Sequence, residues 1–194
     1  MKITKLFIAA FTLITLLYTT SNAQEKVNYT TDISNSTINW KGYKPTGSHH
    51  GTITLESGAL KMDNGTIKGG YFIANMLTIK DAGGSAKLER HLKSDDFFDV
   101  AAFPTSKFEI TDSKTIEGKM MITGNMTIKG ITKQLTFPVT ITETADTVTL
   151  TSETFQVNRA DFNVKYKSKT FFNNLKEKFI NNEFDLQVVI VAVK

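Results

Sequence analysis

The stretch "KMMITGNMTIKGITKQLTFPVTIT", Lys119 to Thr142, decides the fold, because its apolar residues recur with a period of two on both sides of a short break. Met120, Ile122, Gly124, Met126 and Ile128 share one face, while Met121, Thr123, Asn125, Thr127 and Lys129 share the other. Beyond Lys129-Gly130, Leu135, Phe137, Val139 and Ile141 alternate with Gln134, Thr136, Pro138 and Thr140. Successive side chains of a strand point to opposite faces, so each run reads as a strand with one dry and one wet side. One-sided burial suits antiparallel pairing. Pro138 has no N–H to give to a ladder, which places it at a bulge or a locally unpaired edge.

The same period extends backwards through Ile38 and Trp40, Ile53 and Leu55, and Leu60 and Met62. Turn residues at Ser57-Gly58, Asp63-Asn64-Gly65, Ile116-Glu117-Gly118 and Ala145-Asp146 separate the runs and predict hairpins in a meander. Gly69-Gly70, inside the run from Ile67 to Ile79, predicts a sharp bend of the kind found at a barrel corner. Two stretches leave the rhythm. Ser85 to Lys93 carries Leu88 and Leu92 four apart, with Glu89 four before Lys93, which favours a short helix. Ser168 to Phe179 sets Phe171, Phe172, Leu175 and Phe179 opposite Asn173, Asn174, Lys176 and Glu177, which predicts a second short helix packed by its apolar stripe. The fold expected is all-β: an antiparallel β-barrel of about eight strands with one or two short helices, since closure removes sheet edges. Periodicity alone leaves open whether such a barrel is filled by its own side chains or holds one elongated ligand.

At the start of the chain, Lys2 and Lys5 precede an apolar run, Leu6 to Tyr18, that is short for a membrane span. Ser21-Asn22-Ala23 then offers small residues where a signal peptidase reads, so residues 1–23 are expected to be a cleaved signal peptide and 24–194 one barrel domain, periplasmic or secreted, with no stable membrane insertion after cleavage. The chain has no cysteine, so apolar burial must replace disulfides, and its 14 phenylalanines suit that demand. Of 23 basic residues two lie in the leader, so against 19 acidic residues the remainder carries about +2. Basic residues alternate with threonine, asparagine and acids, which argues against nucleic acid as a partner.

The segment "HLKSDDFFDVAAFP", His91 to Pro104, looks most like chemistry, with a histidine and three aspartates in fourteen residues. Paired carboxylates do acid/base work only when set close together in unlike environments. Ser94 or Asp95 can instead cap a turn that sends Phe97 and Phe98 into the core, and this structural use is the one expected. His49 and His50 are adjacent and point apart in a strand, and neither a His-x-x-x-His nor a Gly-x-Ser-x-Gly pattern occurs. No metal, cofactor or catalytic residue is therefore expected. Arg90, Lys93, Lys165 and Lys167 could gather at a barrel mouth to hold an anionic head group.

Three segments carry a family resemblance: "HLKSDDFFDVAAFPTSKFEI" (91–110), "TGNMTIKGITKQLTFPV" (123–139) and "VNRADFNVKY" (157–166). In that order they resemble the YceI-like family pattern of His-Leu-x-Ser-x-Asp-Phe-Phe-Asp, Gly-x-Leu-Thr-Ile-Lys-Gly and Arg-x-Asp-Phe. "INWKGYKPTGSHHGTI" (38–53) and "SKTFFNNLKEKFINNEFDLQVVIVAV" (168–193) resemble a branch of small exported bacterial members, so the likeness runs from about Val27 to the C-terminus. Met126 stands where leucine is usual, a volume-conserving change. Asn163 stands where many members have glycine, and asparagine tolerates the left-handed backbone better than most residues.

The resemblance implies a lipocalin-like barrel around a long apolar pocket that takes polyisoprenoids or other long-chain lipids noncovalently, with no catalytic set. The expected lining is Ile53, Tyr71, Ile73, Phe108, Ile110, Met120, Ile122, Leu135, Phe137, Val139 and Phe162. Each buried CH₂ of a ligand contributes about 0.8 kcal/mol, so such a tunnel needs few polar contacts. Two other readings stay open: an enzyme isomerising or hydrolysing a lipid-like substrate through His91 with Asp95 or Asp96, and a structural or stress-response surface protein with a filled barrel. An edge or a helix stripe also leaves room for a homodimer.

Overall fold

The computed structural model describes residues 26–194; the expected signal peptide lies outside the described residues. Eleven strands follow in chain order: β1 (Lys26–Lys44), β2 (Gly47–Ile53), β3 (Leu55–Asp63), β4 (Thr66–Asn75), β5 (Lys80–Asp81), β6 (Thr105–Ile116), β7 (Lys119–Ile128), β8 (Ile131–Glu143), β9 (Thr147–Ser152), β10 (Phe155–Asn158) and β11 (Glu183–Val193). One helix, α1 (Ala86–Lys93), lies between β5 and β6. Every pairing is antiparallel, and eight strands (β1, β3, β4, β6, β7, β8, β9 and β11) close on themselves through the β11–β1 pair. The expected barrel and strand number are therefore what the chain forms. β2 extends β3 along the second half of β1, and β10 extends β9 along the first half of β11.

Three tight hairpins have an X-Gly pair with positive φ at both central residues: Asn64-Gly65, Glu117-Gly118 and Lys129-Gly130. That geometry matches the twist of the flanking strands and needs residues that tolerate the left-handed region. Ser57-Gly58, expected as a turn, lies within β3 beside a register shift between Leu55 and Ser57, so the strand continues. A Cβ on Gly58 would meet Thr31 Oγ1 at 2.5 Å and the Phe72 ring at 2.8 Å; close packing, not turning, calls for glycine there. Pro138 lies just past the last β8–β9 pair, Val139 with Ser152, and its carbonyl accepts the Glu153 N–H.

At Gly69-Gly70 the bend takes the form of a bulge, with Lys61 opposite Gly69 but Met62 opposite Ile67. One extra residue reverses the faces: Ile67 is buried before it, and Phe72 and Ala74 after it.

The Ser85 hydroxyl caps α1 by accepting the Leu88 N–H. The second predicted helix does not form. Residues 168–179 make turns and a single 3-10 turn, Lys176–Lys178. The Ser168 hydroxyl accepts the Thr170 N–H and donates to the Asn182 side chain, which in turn donates to Thr170. Such local side-chain bonds offer the backbone an alternative to helix. Phe171 and Phe172 consequently stand exposed, at 39% and 47%.

The strand order gives the barrel two unlike ends. The hairpins 63–66, 116–119 and 143–147 gather at one, and the long connections 76–104 and 153–182 gather at the other. The hairpin end is packed with Tyr29, Leu60, Met62, Ile67 and Val148, all buried in the main core. A second apolar cluster, including Ile79, Leu92, Phe97, Val100 and Val164, fastens the connections to the loop end.

Candidate functional site

Two cavities adjoin inside the loop half of the barrel. The inner one, about 90 Å³, is walled by Leu55, Phe72, Ala74, Phe108, Met126, Phe137, Phe155 and neighbouring aliphatic residues. The outer one, about 120 Å³, lies beneath α1 and the 159–182 connection and adds Trp40, Tyr43, His49, His91, Arg159 and Asn181. Ile53, Phe98, Phe184 and Leu186 border both, so they form the partition. Each cavity has room for more than one water molecule, yet the inner walls offer a water few partners.

Aromatic rings shape the inner cavity. Phe137 stacks on Phe155 at 3.9 Å between centroids and tilts against Phe108 at 5.2 Å. A Cβ on Gly124 would collide with the Phe108 ring, so the bare backbone of β7 gives that ring its place.

Arg159 supplies the polar roof of the outer cavity. It is 2% exposed and its guanidinium donates to three carbonyls: Asn181 (2.9 Å from Nε), Val164 (2.7 Å) and Ile180 (2.9 Å). It also lies over the Phe97 ring at 5.4 Å. Burial pushes its pKa down to about 10, with the charge of Glu183 working the other way, so it is cationic at neutral pH. The turn after it uses the left-handed backbone at Asn163 (φ 59°), which asparagine tolerates better than most residues.

Of the residues expected to line a pocket, Ile53, Phe108, Ile122 and Phe137 border the inner cavity. Ile110, Val139 and Phe162 are buried in the main core but border neither cavity, and Met120 and Leu135 are half-buried against that core. Tyr71 and Ile73 fall on the outer face: Tyr71 is 39% exposed, and its neighbours Phe72 and Ala74 point inward. The bulge at Gly69 accounts for both, because a strand read without it carries the face of Ile67 forward to the wrong residues. Arg159 was legible as part of the Arg-Ala-Asp-Phe motif, but nothing local marks it as a buried cation.

The His91–Pro104 segment is tied down by its own backbone. The Ser94 carbonyl accepts the N–H groups of Phe97 and Asp99, and the Leu92 carbonyl that of Phe98. Asp95 accepts the Asp96 N–H, as expected of a loop device. Phe97 is buried, while Phe98 is half-buried at the cavity partition. His91 borders the outer cavity edge-on to Tyr166, and its Nε2 is 3.8 Å from Asp96 Oδ2. Asp95 and Asp96 face an open groove on the outside with Lys129, Lys165 and Lys167, so the acids and the apolar cavity do not converge. Lys165 and Lys167 thus line that outer groove and neither cavity, whereas Arg90 and Lys93 border neither cavity nor that groove. His49 borders the outer cavity with Nδ1 3.5 Å from Asp81 Oδ1, and His50 is exposed on the other face. Among the described residues no group of three His, Cys, Asp or Glu side chains is placed to hold a metal ion.

A closed antiparallel barrel with an apolar interior and one polar end defines a lipocalin-like architecture. The family described as YceI-like domain matches residues 29–192, and the chain belongs to that family. A UPF0312 protein of Pseudomonas putida is 30% identical over 92 residues, 47% of this chain and 48% of its own, so the chain spans about half the length of the curated relatives it matches. A UPF0312 protein of Pseudomonas aeruginosa is 43% identical over 51 residues, 26% of this chain and 27% of its own. Among solved structures, Burkholderia cenocepacia BcnA superposes with a TM-score of 0.68 at 18% identity, covering 84% of this chain and 99% of its own. A polyisoprenoid binding domain from Saccharophagus degradans, implicated in plant cell wall breakdown, superposes with a TM-score of 0.63 at 11% identity, covering 85% and 97%. At these identities the structural likenesses establish the fold.

Proposed function

We propose that this chain is an exported, non-enzymatic carrier that holds a polyisoprenoid or other long-chain amphiphile, its tail in the inner cavity and its head beneath Arg159. The observation that carries the reading is the pairing of an aromatic and aliphatic inner compartment with an outer one roofed by a buried cation. A long tail gains from dry walls, and a polar or anionic head gains from a desolvated guanidinium with donors to spare. The polyisoprenoid binding domain among the structural neighbours supports the same ligand class. Export rests on Lys2, Lys5, the run Leu6 to Tyr18 and the small residues before Gln24. A periplasmic or secreted protein with such a cavity would carry lipid across water.

Native mass spectrometry of protein purified from its own host, followed by organic extraction, tests the ligand. A noncovalent lipid should accompany the wild type. Ala74→Phe, which places a ring in the inner cavity, should release it while the circular dichroism of the barrel persists. Repeated absence of lipid from the wild type sinks the proposal. N-terminal sequencing of the periplasmic fraction should begin at Gln24, and an intact Met1 would remove the export step.

A further inference from the structure

The charge of the chain is concentrated in one place. Residues 165–178 hold Lys165, Lys167, Lys169, Lys176 and Lys178 against Glu177 alone, in a chain that is otherwise nearly balanced after its leader. The same segment exposes two adjacent phenylalanines, Phe171 and Phe172. Lys165 Nζ lies 5.5 Å from the Phe171 ring and Lys169 Nζ 3.4 Å from the Phe179 ring, so ammonium groups and rings are interleaved. Its root is firm: Ser168 is fully buried, and Ile180 N–H donates to the Lys167 carbonyl. Directly beyond that root, the carbonyls of Ile180 and Asn181 hold Arg159 above the outer cavity. Asp95 and Asp96 border the groove beside Lys165, Lys167 and Phe172 and mark the edge of the basic area.

We propose that residues 165–178 dock the protein on an anionic bilayer surface, with Phe171 and Phe172 entering the interface and the lysines facing lipid head groups. Rings with apolar bodies favour the head-group layer, and each lysine near an anionic surface changes partition by roughly fivefold. A protein partner of the usual kind would depopulate lysine at the centre of its contact, whereas here lysines surround the rings. Docking by this segment brings the loop end of the barrel, where Ile180 and Asn181 hold Arg159 over the outer cavity, next to the membrane. It deepens the carrier reading by naming where cargo is exchanged.

Sedimentation of the full processed chain with vesicles tests the proposal, using phosphatidylcholine alone and an equimolar mixture with phosphatidylglycerol. The wild type should pellet with the mixed vesicles and not the neutral ones, and salt should release it. Phe171→Ser with Phe172→Ser should abolish pelleting. Lys169→Gln with Lys176→Gln and Lys178→Gln should weaken it about 100-fold. These side chains are exposed, so circular dichroism should be unchanged. No pelleting by the wild type, equal pelleting with neutral vesicles, or wild-type pelleting by either variant overturns the proposal. So does a concentration-dependent dimer, seen by ultracentrifugation, that the phenylalanine variant abolishes without affecting vesicles. Vesicle binding by a protein that never carries lipid would remove the carrier reading and keep the docking site; lipid carriage with failed docking would do the reverse.

Discussion

The two ends of this barrel are held by different physics. At the hairpin end, Tyr29, Leu60, Met62, Ile67 and Val148 fill the space, and connections of two or three residues join the strands without slack. At the loop end two connections are long, the interior is hollow, and polar latches add to the packing of the second apolar cluster: Arg159 on three carbonyls, Lys129 Nζ on the Phe97 carbonyl at 2.9 Å, and Tyr43 on Asp185. Apolar packing is dense but leaves no room, whereas directional bonds can hold walls apart around a void. The proposed carrier would use both, one end for stability and one for cargo.

The sharpest way to break this comparison is to remove one device from each end. Arg159→Met keeps much of the apolar stem but strands the carbonyls of Val164, Ile180 and Asn181, each costing about 1–3 kcal/mol when buried without a donor. Urea denaturation should show a loss of about 3 kcal/mol or more, and Arg159→Lys should recover only part, since an ammonium cannot reproduce the planar fork. A loss below about 1 kcal/mol would mean that water replaces the latch. Leu60, fully buried at the hairpin end, should cost about 2–5 kcal/mol as Leu60→Ala, with no change in bound lipid. Phe98→Ala removes a larger side chain, yet it is half-buried between two existing voids, so the expected loss is only about 1–2 kcal/mol. Its distinguishing effect should be on cargo: merging the cavities should shift extracted lipids toward bulkier species. Equal losses for Leu60→Ala and Phe98→Ala would erase the distinction between the ends.

Local signals were legible in the sequence at both ends of the barrel, and features defined by distant partners were not, for related reasons. Period-two runs and X-Gly turns are local signals, and at Lys119–Thr142 they mark both strands and the turn between them. The helix at Ser85–Lys93 likewise carries its own cap and apolar spacing. A bulge is defined by the partner strand, so the slip at Gly69 could not be counted from β4 alone, and it carried Tyr71 and Ile73 to the wrong face. The apolar stripe at 168–179 had helical spacing, but Ser168, Thr170 and Asn182 bond one another across the segment and override it. The role of Arg159 depends on carbonyls up to 22 residues away that converge only in the folded chain.

The smallest expected effect concerns Tyr43, whose phenol donates to Asp185 while Gln156 Nε2 donates to the same carboxylate at 3.1 Å, joining β1, β10 and β11 beside the outer cavity. The hydrogen bond to Asp185 holds the phenol above the usual tyrosine range, with desolvation and the carboxylate charge adding to it. A folded value raised above the unfolded one means that the phenol's stabilisation is fully present below about pH 10, the ordinary tyrosine value, and fades as pH rises through the folded value. Tyr43→Phe should therefore be slightly less stable at neutral pH and should lack this part of the alkaline decline. Ultraviolet titration of the wild type minus the variant should show one phenol ionising late. If that difference titrates at the ordinary value, Tyr43 does not latch the loop end, and the packing of the α1 and 159–182 segments must hold the cavity mouth by itself.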